Sequence, residues 1–177
     1  MAPLANDGCA TLLRQACMQD GTGLTLAPSL PMASSVYLCL RDGRGDMYAA
    51  VNDMALCESL SVGQLPLDAL PAFHGVVLDA NLPEPVLEAP ARQATGPLVA
   101  DPVSAQKAER LGVPKKLISE AGGVSRRVTA AMADAVRRKG KADLGAAISC
   151  RPQAQEGKEA GLRYVAITDG REVWAKR

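Results

Sequence analysis

The stretch VVLDANLPEPVLEAPARQATGPLVADPVSAQKAERLG, residues 76–112, decides the fold. It opens on a short apolar run, 76–81, that ends in polar residues. Pro83 and Pro85 follow, in the first turn of a helix, where a missing N–H is harmless. Pro90 is expected to end or kink that helix early. A second apolar run, 97–102, ends in Asp101 and Pro102. Ser104 can cap a further helix that stops at Gly112. Strand, helix, strand, helix is the order of a parallel sheet with helices on its faces. The predicted fold class is therefore α/β, with a mostly parallel sheet and helices on both faces.

Toward the N-terminus, Asp7 can cap a helix over 8–18, with Leu12, Leu13, Ala16 and Cys17 at helical spacing. Residues 21–33 read as a loop with one short strand at Leu24–Leu26. Residues 34–51 hold two apolar runs around a turn at 42–45, a β-hairpin pattern. Two short helices are expected in 53–72. Toward the C-terminus, Pro114 begins a short helix through 121. Ser125 caps a longer one through Lys139, with Val128, Ala131, Met132, Ala135 and Val136 on one stripe. Leu144–Ser149 reads as a strand of small residues and 151–159 as a polar loop. A second β-hairpin, 162–176, turns at Asp169, Gly170 and Arg171.

The chain has 177 residues, enough for one ordinary domain or two small ones. Apolar residues make up 47% and aromatics 3%, so the core is built from Ala, Val and Leu. There is no aromatic platform for single-stranded nucleic acid. Lys plus Arg is 20 and Asp plus Glu 19, so no net field steers the chain to nucleic acid or an anionic membrane. Five cysteines, Cys9, Cys17, Cys39, Cys57 and Cys150, have no CxxC spacing. They read as reduced thiols, with no disulfide framework and no metal site. No leader or spanning stretch is evident, and the expected location is cytoplasmic. His74 is the single histidine and reads as structural or exposed. Trp174 reads as packing. Arg126, Arg127, Arg137, Arg138, Lys139 and Lys141 read as a solvated helix face.

Three segments carry a first resemblance: ASSVYLCLRDGRGDMYAAVNDMALCESLS, VVLDANLPEPVLEA and PLVADPVSAQKAERL. Residues 7–111 resemble a pfkB-type (ribokinase-like) carbohydrate kinase of the pseudouridine kinase branch. The resemblance implies a lid made by the first hairpin. It implies substrate-binding roles for Asn52 and Asp53 near that lid, and for Asn81 and Asp101 at strand ends, where open α/β sheets bind ligands. ATP and magnesium belong to this reading alone. Phosphoryl transfer also needs a base and an anion hole. The family supplies them from a GAGD motif, and neither that motif nor the family's Asn-x-x-Glu magnesium motif occurs in this chain. Gly21-Thr22-Gly23 is too short to act as a phosphate loop.

The second resemblance rests on KAERLGVPKKLISEAGGVSRRVTAAMADAVRRKGKADLGAAIS and EAGLRYVAITDGREVWAKR. Residues 107–177 resemble the C-terminal domain of CinA-type nicotinamide-nucleotide amidohydrolases. By residue match, Lys107 stands at the family's catalytic lysine and Ser149 at its threonine. The family's nucleophile motif, ESCTGG, is absent. Aligning Gly23–Ala27 with the lead into that motif puts PSLPMAS in its place and makes Ser29 and Ser34 candidates. Lys107 reads either as a general base or as a helix-surface lysine paired with Glu109 or Asp101.

Two parts are expected, 7–111 and 112–177, possibly merged into one domain. Three functions stay open. The first is an incomplete kinase relative without independent turnover. The second is a CinA-type amidohydrolase relative. The third is a non-catalytic small-molecule-binding or interaction protein. Incomplete sheets predict self-association or a partner chain, and the ligand class is a small nucleoside or nucleotide.

Overall fold

The computed structural model describes residues 2–43, 45, 47–104, 106–150 and 161–177. The expected turn at 42–45, the strand start at 46, the capped helix at 105 and the polar loop at 151–159 fall wholly or partly outside the described residues. The chain divides into two compact units, residues 1–66 with 81–86, and residues 67–80 with 87–177.

In the first unit, helix α1 spans Gly8–Gln19 with Asp7 as its N-cap. The Asp7 carboxylate accepts from Ala10 N at 2.9 Å, from Ser34 N at 2.8 Å and from Ser34 Oγ at 2.7 Å. Those donors, the Ala10 N–H foremost, lower its pKa to about 2. One side chain thus caps a helix and pins the chain 27 residues away. Ala5, Ala10 and Leu56 form a small core with Leu30 against it. Strands β1 (Val36–Arg41) and β2 (Met47–Asp53) pair antiparallel, which realises the first hairpin. Leu38, Leu40 and Val51 stay exposed on it. Helix α2, Ala55–Glu58, follows. The strand expected at Leu24–Leu26 does not form. The extended contact falls slightly later, where Leu4 and Ser29 make a parallel bridge, because Leu4 bonds Pro28 O and Leu30 N bonds Leu4 O.

The second unit begins with β3 (Val76–Asp79). Helix α3 spans Glu84–Gln93 across the boundary between the units, with Pro90 inside it. Pro90 was expected to end or kink the helix early, and the helix runs through it to Gln93. The proline forfeits only its own N–H bond, and Ala94 N still reaches Pro90 O at 2.9 Å. Burial of Val86, Leu87 and Ala91 around the proline holds the turn. Strand β4 (Leu98–Asp101) runs parallel to β3. The helix expected from Ser104 is a 3-10 turn, Lys107–Leu111, closed by Gly112 at φ 98°. Helices α4 (Lys115–Ala121) and α5 (Arg126–Lys139) follow, the latter capped by Ser125. Strands β5 (Gly145–Cys150), β6 (Arg163–Thr168) and β7 (Val173–Lys176) make an antiparallel sheet in that order. The fold is mixed α/β, as expected. Among the described strands, parallel pairing is confined to β3 and β4 rather than prevailing through one sheet.

Helix α5 holds this unit together through two stripes. The expected stripe packs Val128, Ala131, Met132 and Ala135 with Ala108, Val113 and α4. A second stripe, Thr129, Ala133 and Arg137, faces β5, and Thr129 and Ala133 are completely buried. Helix and strand meet so closely at Gly145 that a Cβ there would collide with Ala133 O and the Arg137 side chain. Glycine is required at this point for space. Arg137 and Arg138 both pair with Asp134 at 2.9 Å, and Lys139 reaches Glu88 at 3.5 Å. Much of the expected solvated cationic face is therefore engaged in ion pairs.

Gly145→Ala should destabilise the second unit by roughly 1–3 kcal/mol, the usual cost of overpacking. Chemical denaturation measures it, and an unchanged midpoint would refute the close approach. Asp7 supplies a pH test. Its lowered pKa gives stability that is full above the ordinary aspartate value and is lost as pH falls toward the folded value. Asp7→Asn should therefore lower the thermal midpoint near neutrality. The difference from the parent should close between about pH 4 and pH 2.

Candidate functional site

The C-terminal end of β5 carries Ser149, opposite Tyr164 of β6. Its hydroxyl lies 2.7 Å from Thr129 Oγ1 on α5. Thr129 Oγ1 also donates to Ser125 O at 2.7 Å. A threonine hydroxyl has one proton. With that proton on Ser125 O, Ser149 must donate to Thr129. The relay runs Ser149, Thr129, Ser125 carbonyl, and ends on main chain.

Lys107 begins the 3-10 turn, half-buried, with its backbone N–H on Ser104 Oγ at 3.2 Å. Just before it, Val103 has φ 61°, a rare conformation for a β-branched residue, and its N–H bonds Asp101 Oδ1 at 2.8 Å. Asp101 ends β4, in register with Asp79 at the end of β3. Asn81 lies just beyond β3, within the segment 81–86 of the first unit. Asn52 and Asp53 end β2, opposite Tyr37 and Val36. Asp53 Oδ1 accepts from Ala55 N at 2.9 Å and caps the next turn.

Ser34 is buried and its hydroxyl donates to Asp7, so it clamps the α1 N-terminus. Ser29 is exposed in the Leu4 bridge. His74 and Trp174 are exposed, so the packing role read for Trp174 is not its place here. The five cysteines are free, and no cluster among the described residues could hold a metal ion. No helix among the described residues is long and apolar enough to cross a membrane.

A cavity of about 750 Å³ lies within the second unit. Its floor includes Met132 and Val136 of α5, and its sides are β4 and β5. Neither Lys107 nor Ser149 lines it. Sequence reasoning missed this cavity and Thr129. The available signal was the run of small residues Gly145, Ala146 and Ala147, which admits the close approach of a helix.

Comparison with known proteins bears on the seam between α5 and β5. Residues 103–177 match the CinA C-terminal domain. A relative named competence-damage inducible protein, from Desulforamulus reducens, is 34% identical over 157 residues, covering 84% of this chain and 37% of the relative. That likeness reaches well upstream of the domain match. The CinA-like protein of Syntrophus aciditrophicus is 42% identical over 70 residues, covering 38% of this chain and 17% of the relative. The chain thus spans well under half the length of these relatives. Among solved structures, a ribokinase from Thermotoga maritima aligns with TM-score 0.66 at 14% identity, covering 97% of this chain and 57% of that one. A carbohydrate kinase from Agrobacterium tumefaciens aligns with TM-score 0.59 at 21% identity, covering 97% and 56%. The kinase likeness is one of fold. The CinA likeness is carried by sequence, so the CinA reading, second in the sequence analysis, has the better support.

Thr129→Val should cost about 1–2 kcal/mol, because it strips the acceptor from Ser149 and cuts the tie to Ser125. Adding Ser149→Ala should recover part of that loss. A double-mutant cycle on denaturation midpoints measures the coupling, and strict additivity would contradict the relay.

Proposed function

We propose that this chain is a CinA-type binding and assembly module that does not turn substrate over on its own. The observation that carries the reading is the Ser149 hydroxyl, whose proton is directed to Thr129 and through it to a backbone carbonyl. A nucleophile or an oxyanion donor needs an adjacent base or a free, aimed proton. Here the hydroxyl serves the packing of α5 on β5. The ESCTGG and GAGD motifs are also absent from the sequence. ATP and magnesium have no part in this reading. A small nucleotide remains the proposed ligand class, and reduced thiols fit a cytoplasmic setting.

Assembly is supported by the outer face of the β5–β6–β7 sheet. Ile148 stands opposite Val165, and Ile167 opposite Trp174, and all four are exposed. Apolar side chains grouped this way on one face mark interaction surfaces.

The second reading, amide hydrolysis of a nicotinamide nucleotide, is favoured by the CinA match that includes both Lys107 and Ser149. Ammonia release from nicotinamide mononucleotide separates the two. The purified chain should release none above background, and ADP release from ATP with pseudouridine should be equally absent. Sustained turnover in either assay, lost in Lys107→Ala, would overturn the proposal.

A further inference from the structure

The cavity of the second unit is bounded in an unusual way. All four residues of β4, Leu98 to Asp101, line it, and so do Leu144 and the first four residues of β5, Gly145 to Ile148, together with Val165 of β6. Side chains alternate between the two faces of a strand. A cavity lying over a sheet face meets every second residue, whereas one that meets every residue sees the strand edge-on. The pairing agrees. β4 is bonded to β3 and β5 to β6, and among the described residues neither has a second strand neighbour. Two unpaired edges, each a row of N–H and C=O groups, therefore border one space with α5 beneath it.

The size of that space selects what fits. A four-residue strand rises about 13 Å and takes about 4.8 Å by 10 Å of a packed sheet, hence roughly 600 Å³. The cavity measures about 750 Å³. The space is large enough for one strand. The described strands of a second copy are excluded as donors, because each is already bonded to a neighbour. The charges on the lining, Asp101 and Arg137, sum to zero, and Arg137 is already paired with Asp134. The rest is largely apolar, so the lining complements a neutral segment.

We propose that the slot between β4 and β5 binds one extended, neutral segment of a partner polypeptide, four or five residues long. Apolar side chains at alternate positions would point to Met132 and Val136, and its backbone would bond both edges. The proposal deepens the binding reading above and names its partner, yet it does not depend on the turnover assays.

The test uses the whole chain and fluorescein-labelled, capped pentapeptides of alternating valine and threonine, followed by anisotropy. Two further peptides carry N-methyl groups on one or the other alternate set of residues. A peptide held between two edges uses N–H groups on both sides, so either methylated set should weaken binding about tenfold or more. A peptide added to a single outer edge can present its unmethylated side and loses nothing. Val136→Trp, which fills the slot from below, should abolish binding while circular dichroism stays unchanged. The methylated peptides keep the test decisive should that variant misfold. Absence of saturable binding, or indifference to either methylated set, would overturn the slot. Peptide binding together with nucleotide turnover would sink only the non-catalytic reading.

Discussion

Close approach of α5 to the backbone of β5 is the constraint on which the second unit rests. Gly145 allows it, since a side chain there would meet Ala133 O and Arg137. Four residues further along β5 and four residues back along α5, the same approach brings Thr129 to 2.7 Å from Ser149. Backbones this near exclude water, so the polar groups along the seam bond each other. In the proposed reading, the residue that the CinA resemblance assigns to chemistry is thereby recruited into packing.

The same helix also sets what is left open. Its first stripe is filled by α4 and the 3-10 turn, with Val128 and Ala135 buried there. Its second stripe is filled by β5. Met132 of the first stripe and Val136 beside it face a cavity flanked by strand edges. Unpaired edges and exposed apolar faces are features that proteins usually cover. Binding another polypeptide is the physical resolution that this arrangement invites.

Much of this architecture could be read from the chain, for local reasons. Asp7 and Ser125 are N-caps with short polar side chains, and each caps as its spacing implies. Both hairpins follow from apolar runs around Asp-Gly turns. In the second turn the Glu172 and Arg171 N–H groups hold the Asp169 carboxyl below its ordinary pKa. The misreadings were non-local. Pro90 stays helical because buried neighbours compensate one lost bond. The prevailing parallel sheet failed because strand direction depends on partners, and β5 pairs with β6 rather than with β4. Thr129 lies off the predicted apolar stripe, and only the arrival of β5 gives it a role. Residue types at Lys107, Ser149 and Asp101 suggested sites, but the proton relay at Ser149 depends on the tertiary seam.

Amide hydrogen exchange, resolved residue by residue, tests the central claim most directly. If α5 supports two separate strand groups, the α5 amides and the β5–β6 ladder amides should exchange slowly. In the same experiment the amides of β4 and β5 that face the cavity should exchange fast, like those of free edges. Uniformly slow exchange across β4 and β5 would mean that the sheet is closed, and would contradict the account.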